Sequence, residues 1–254
     1  RGFEVYKGVC AGCHGLRLVA YRNLMDIGFT EDEVKAIAAE VDVPAEPNAD
    51  GEIEDRPGIP ADRFKSPFAN ENAARAANNG AYPPDLSLMA KARKNGSNYL
   101  YALMGLGYED SVPEEVLKEV FQIVTTSREK AYKLAVEAYE DAVDAGKTVQ
   151  KPEEPALVSS IEDLNIGEGL YFNAYFPGFA IAMAPPLYDE GIEYADKTEA
   201  TVKQQAEDVA MFLTWAAEPK LEDRKNLGIK VILFLLLMTG LLYVVKRRIW
   251  ADVH

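Results

Sequence analysis

The chain runs through helical hydrophobic stripes separated by polar, proline-marked stretches, and near its end comes a run that is apolar on every side. The spacing of Val202, Ala206, Val209, Leu213 and Ala216 predicts an amphipathic helix over Thr198 to Ala217, stopped by Pro219, with Thr201 and Gln204 as a capping box. Thr30 with Glu33 predicts a second box, opening a short helix through Val34, Ile37 and Ala38. Arg1 to Cys10 reads as helical. Ser97 reads as the cap of an aromatic-rich helix from Tyr99 to Leu106, and Glu114 to Phe121 and Ser127 to Asp144 as two more helices. No stretch alternates well enough to predict a strand. Val43 to Pro60 and Lys147 to Ser160, rich in proline and acids, read as exposed loops or insertions, and no repeat is visible. The expectation is a mainly α protein.

Leu227 to Val245 carries Lys230 as its single charge, near one end. At about 1.5 Å rise per residue such a helix approaches the roughly 30 Å hydrocarbon thickness of a bilayer, with Lys230 able to snorkel outward. A buried core helix is the alternative, but few soluble helices are apolar on all faces for this length. Lys246, Arg247, Arg248 and Trp250 follow at once and suit cytoplasmic or matrix headgroups. Lys220, Arg224 and Lys225 precede the run, so the charge bias between its two sides is weak. The chain opens at Arg1, shortly before Cys10 and without a signal peptide, which reads as a processed or truncated start.

With 254 residues the chain can bury a substantial core, and one main domain is expected. Its 48% hydrophobic and 27% charged residues are ordinary for a folded protein. The surplus of 41 acidic over 27 basic residues, a formal charge of -14, repels nucleic acid and favours a basic partner. Solubility alone accounts for such a surface equally well.

The chain has 2 cysteines, Cys10 and Cys13, too few for a disulfide framework. A pair so spaced belongs to a redox dithiol, half of a zinc site or a haem attachment, and the next residue decides. It is His14. Cys10-Ala-Gly-Cys13-His14 matches the c-type haem rule: thiols at i and i+3 share a helical face and reach both vinyl groups, while the adjacent imidazole comes under the iron. A thioredoxin-like dithiol needs a βαβ context, which is not predicted here.

A sixth ligand comes from elsewhere. His254 follows the apolar run and would lie across the bilayer. Of 6 methionines, Met238 is inside the run, Met211, Met89 and Met104 fall in predicted helices, and Met25 follows His14 too closely. Met183 remains, in a segment that Pro177, Gly178, Pro185 and Pro186 keep out of regular helix. By spacing alone it is either the axial sulfur or a packing methionine. A protein with an open sixth position would instead bind gases or carry out peroxidatic chemistry.

The chain resembles the cytochrome c1 family, the haem subunits of quinol:cytochrome c reductases (cytochrome bc1 complexes), and looks like its alphaproteobacterial members. The likeness covers most of its length: Gly2-Phe-Glu-Val-Tyr6 through His14, Ala76-Ala-Asn-Asn-Gly80 with Pro83-Pro-Asp-Leu-Ser87, Gly169-Leu-Tyr-Phe-Asn173 through Met183-Ala-Pro-Pro186, Trp215-Ala-Ala-Glu-Pro219 and the tail anchor. The resemblance implies a cytochrome c-like haem domain over 1–220 with an insertion at 109–160, a transmembrane anchor over 221–248 and a short tail over 249–254. It implies one covalent haem c on Cys10 and Cys13, with iron held by His14 and Met183. Arg93 would meet a haem propionate, and Asn78, Pro84 and Tyr99 would line the pocket. The implied work is electron transfer from a Rieske iron-sulfur protein to a soluble or membrane-tethered cytochrome c, beside cytochrome b, in a dimeric, proton-translocating complex. The chain would not bind quinol or do bond chemistry itself, and no nucleic acid would be involved. The haem domain would face the periplasm or intermembrane space from a bacterial or mitochondrial inner membrane, with the C-terminus in cytoplasm or matrix.

Two stretches depart from the family's commoner pattern. Glu109 to Ser160 is longer than in mitochondrial members, and the cysteines that some bacterial members pair there are absent. Between Glu40 and Asp55 the charges are all acidic, which suits either the steering of a basic cytochrome c or a solvated loop.

Overall fold

The computed structural model describes residues 1–251, so His254 and part of the predicted tail lie outside the described residues. The first helix, α1 (Gly2–Val5), loosens into a π-helical turn over Tyr6–Cys10. A side chain on Gly2 would collide with the main-chain oxygen of Asp208 and the Cβ of Phe212, so glycine lets α1 lie directly on α7 (Val202–Ala217). Phe3 and Tyr6 then meet Phe212 and Phe64 at ring separations of 5.6 to 6.1 Å. The predicted stripe of α7 is real: Ala206, Val209, Leu213 and Ala216 are buried, against α5 (Gly96–Gly105) and α4 (Met89–Ala92) as well as α1. The same core takes in Leu16, Leu24 and, from α2 (Glu31–Ala39), Val34 and Ala38.

The Thr30 and Glu33 box closes both ways, the Thr30 hydroxyl accepting from Glu33 N–H and the Glu33 carboxylate from Thr30 N–H. At α7 half of the predicted box forms. Thr201 accepts from Gln204 N–H, but the Gln204 amide turns to Asp208, and the helix starts at Val202 rather than Thr198. Ser97 is not a cap. Asn95, in the left-handed region, precedes α5, and the Ser97 hydroxyl shares a hydrogen bond of 2.6 Å with Thr214.

The two helices expected at 114–144 are one, α6 (Glu114–Asp144). Its middle, Gln122-Ile-Val-Thr-Thr126, contains β-branched residues but no Pro or Gly, and β-branching costs only tenths of a kcal/mol per residue. Strands exist where none was predicted. β1 (Asp42–Pro44) pairs antiparallel with β2 (Asp55–Pro57), and β3 (Tyr171–Phe172) with β4 (Ala180–Ile181). Ladders of two or three residues are too short to leave an alternation, and β1, apart from Asp42, and β2 lie in the stretch read as a loop. A further short helix, α3 (Glu71–Ala77), is capped by the Asn70 side chain, which accepts from Ala73 N–H.

The last helix, α8 (Leu221–Ile249), has a mean hydropathy of 2.4 over its most apolar window, and none of that window is buried against the rest of the chain. It is long and apolar enough to cross a membrane, and Lys246, Arg247 and Arg248 occupy its last turn. The fold is mainly α, as expected.

Candidate functional site

The π-helical turn delivers the cysteine pair. Ala11 N–H bonds the Tyr6 carbonyl, then Cys13 and His14 N–H both converge on the Cys10 carbonyl at 3.1 and 2.8 Å, so Cys10 and Cys13 sit on one turn. Cys13 is exposed and Cys10 half-buried. Burial pushes the Cys10 thiol up to about 12. A redox dithiol needs its nucleophile lowered instead, so this environment argues against that alternative. The zinc alternative lacks further ligands: among the described residues no group of three or more His, Cys, Asp or Glu is placed to hold a metal ion.

His14 Nδ1 lies 2.8 Å from the carbonyl oxygen of Pro84. A carbonyl only accepts, so Nδ1 carries the proton, and in the neutral ring the lone pair is on Nε2, the nitrogen a metal takes. Desolvation lowers the His14 pKa, which favours that neutral form. The segment that carries Pro84 is laced to the motif well beyond this bond. Leu86 N–H donates to the Gly15 carbonyl, Arg17 N–H to the Asp85 carboxylate, and Leu18 N–H to the hydroxyl of the fully buried Ser87. Asp85 also accepts from Ser87 N–H, and the Tyr6 hydroxyl donates to the His14 carbonyl.

Met183 follows β4 in a bend outside regular helix, as expected. It is half-buried against Leu103, Tyr108 and Ile181. Tyr99, on α5, packs both against that cluster and against the main core, on which Cys10 also packs, and so bridges the apolar clusters that Cys10 and Met183 pack against. Asn78 ends α3, its amide donating to the Ala74 carbonyl at 2.7 Å. Arg93 is exposed just past α4; among the described residues it has no carboxylate partner, and its guanidinium reaches only the Ala92 carbonyl at 3.4 Å. Met104 is buried and Met89 half-buried in the core, whereas Met211 is exposed on α7 and Met25 on the surface. A cavity of about 280 Å³ lined by Phe3, Tyr6, Ala11, Tyr21 and Phe64 backs the attachment turn without reaching His14 or Met183.

Sequence reasoning gave no role to Asp85, Ser87, Tyr108 or Asn173. An Asp followed two residues later by Ser, after two prolines, is a turn signature from which the first two could have been found. Tyr108 left no signal of its own.

The description "Cytochrome C1 family" matches residues 1–253. The chain belongs to the cytochrome c1 family. It is 46% identical to cytochrome c1 of Rhodospirillum rubrum over all of this chain and 80% of that protein. It is 43% identical to a mitochondrial cytochrome c1 haem protein of Arabidopsis thaliana over 98% of this chain and 64% of that one. It is 40% identical to "Cytochrome b/c1" of Bradyrhizobium diazoefficiens over the whole chain, which spans 33% of that longer protein. Membership makes this a haem-carrying electron-transfer protein. The residues fit a haem: two thiols on one turn, an imidazole whose tautomer frees Nε2, and an apolar wall carrying a thioether sulfur.

Proposed function

We propose that this chain is the haem subunit of a membrane-bound quinol:cytochrome c reductase, holding one haem c through Cys10 and Cys13 with His14 and Met183 as axial ligands. The observation that carries the reading is the His14 Nδ1 to Pro84 carbonyl hydrogen bond at 2.8 Å, which presents Nε2 for ligation at the end of the cysteine turn. When bound, the haem supplies the one-electron couple that relays an electron from a Rieske iron-sulfur protein to a soluble or tethered cytochrome c.

The chain's own residues do the rest. Pro84 orients the imidazole; Met183 supplies a soft second ligand that raises the potential and closes the site to oxygen chemistry. Arg93, exposed and without a carboxylate partner among the described residues, is assigned to a propionate, and Asn78 and Tyr99 to the pocket wall. Residues 1–220 form the haem domain in the periplasm or intermembrane space, 221–248 the anchor, and 249–254 a tail on the opposite side. Cytochrome b and the Rieske protein are its neighbours in a dimeric complex. Every acidic residue from Glu40 to Asp55 is exposed, although Lys7 pairs with Glu40 at 2.6 Å. Reduction of a basic cytochrome c therefore slows as ionic strength rises and screening shortens to about 8 to 10 Å.

The test is a pyridine haemochrome spectrum with intact mass of the purified membrane protein, repeated on Met183→Leu. One covalent haem, and loss of the sulfur-to-iron charge-transfer band with a lower potential in the variant, support the assignment. Free thiols, or a band that survives the substitution, overturn it.

A further inference from the structure

The segment that carries Met183 has little regular structure to hold it. β3 and β4 are two residues each, and the turn between them puts Phe179 at a φ of 60°, a left-handed backbone that a bulky residue adopts only when its surroundings impose it. From Met183 to Pro186 the chain has neither helix nor strand. Besides its apolar cover from Leu103, Tyr108 and Ile181, a sulfur on such a segment depends on anchors to the main chain near it.

The anchors converge on the C-terminal end of α5. Asn173 is fully buried; its amide donates to the Leu103 carbonyl at 2.9 Å, its side-chain oxygen accepts from Tyr175 N–H, and its own N–H bonds the Phe179 carbonyl. Ala174 N–H bonds the Gly107 carbonyl at 2.8 Å. Any side chain at Gly107 would run into the Asn173 amide, so the glycine allows this close seat. The residue after that glycine is Tyr108, 7% exposed, whose hydroxyl lies 2.9 Å from the Met183 carbonyl and 3.4 Å from that of Ala184. Among the described residues, the donor that reaches the Met183 main chain is this hydroxyl, across 75 positions of sequence.

We propose that Tyr108, seated by Gly107 and Asn173, is the positioning residue that keeps the Met183 sulfur in place on the iron. The inference rests on Met183 being the axial ligand. Tyr108 does not touch the iron; it holds the backbone from which the sulfur projects. Losing the hydroxyl leaves the ring and the apolar cluster intact but frees the loop to lift, so that an external ligand competes for the sixth position.

The experiment uses the full membrane-anchored holoprotein, with carbon monoxide as the probe of an opened ferrous site. Tyr108→Phe should raise the fraction of protein that binds carbon monoxide at a fixed concentration by about fivefold, the factor that one net hydrogen bond supplies. It should also weaken the oxidised sulfur-to-iron band and lower the potential. Tyr139→Phe, on α6, should match the parent. Parental carbon monoxide binding and an intact band in Tyr108→Phe overturn the inference even if the melting temperature falls, because Tyr108 would then be a packing residue only. Equal opening in Tyr139→Phe overturns it too. Met183→Leu separates the two failures. If that variant keeps the band, the ligand assignment itself is wrong; if it loses the band while Tyr108→Phe is unaltered, only the role of Tyr108 fails.

Discussion

Around His14 the chain is laced by hydrogen bonds, each with a main-chain group on at least one side, to a segment about 70 residues away, through Pro84, Asp85, Leu86 and Ser87, whereas the α6 arm rests on apolar side chains near its root. Of the 31 residues in α6 only Val120 is fully packed, against Phe172 and Ala174, with Val116, Leu117, Phe121 and Val124 partly covered. Further out, Arg128 donates to the carbonyls of Asp163 and Leu164, and the returning segment buries Val158. Directional bonds from main-chain groups fix position, and a small apolar patch fixes little more than proximity. The contrast follows the proposed chemistry: a nitrogen that is to bind iron tolerates little displacement, and an arm with no proposed ligand to hold has no such demand on it.

The sharpest break of that contrast is His14→Ala. It removes the nitrogen proposed to bind the iron, and protein with a low-spin, six-coordinate haem spectrum should be lost entirely. Recovery of a parental spectrum would show that the lacing serves something else. Next in size, Asp85→Ala leaves the N–H groups of Arg17 and Ser87 without their charged acceptor, so the melting midpoint in denaturant should report a loss of about 1.5 to 3 kcal/mol. The haem spectrum should loosen with it. Val120→Ala should cost about 1 to 2 kcal/mol locally, read as faster amide exchange along α6, with the haem spectrum and potential unchanged. A changed potential would mean that the arm and the site are mechanically coupled.

The smallest effect is a titration. The Asp163 carboxylate accepts from the N–H groups of Ser159 and Ser160 and from the Ser159 hydroxyl, and these bonds lower its pKa below the ordinary 3.8. A lowered folded value means that its contribution is complete above the unfolded pKa and disappears as pH falls through the folded one. Exchange at residues 159–166 should therefore rise below about pH 4 in the parent, and Asp163→Asn should flatten that rise. An unchanged profile in the variant would assign the acid loosening to other carboxylates.

Some of this was written in short stretches of sequence, because the physics involved is short-ranged. The cysteine turn and His14 are five consecutive residues, the Thr30 box needs two side chains one turn apart, and α8 declares itself by unbroken apolar length. The stripe on α7 was legible for the same reason, since a helix repeats its inward face every three or four residues. Met183 was legible as a candidate because prolines and a glycine kept its segment out of helix, but its spacing alone left packing open.

Tertiary structure decided what depends on partners distant in the chain. That Pro84 is the acceptor which sets the His14 tautomer, that Tyr108 and Asn173 hold the Met183 segment, and that Tyr99 joins the two apolar clusters follows from contacts with no sequence period. Asn95, not Ser97, precedes α5 while the Ser97 hydroxyl is taken up by Thr214, and α6 ran through the junction where two helices were expected. The two-stranded ladders formed for the same reason: a pair of residues makes a ladder only when the rest of the fold brings another pair alongside. Local patterns determine which elements are possible, while the competition for hydrogen-bond partners and apolar cover is settled only when the whole chain closes on itself.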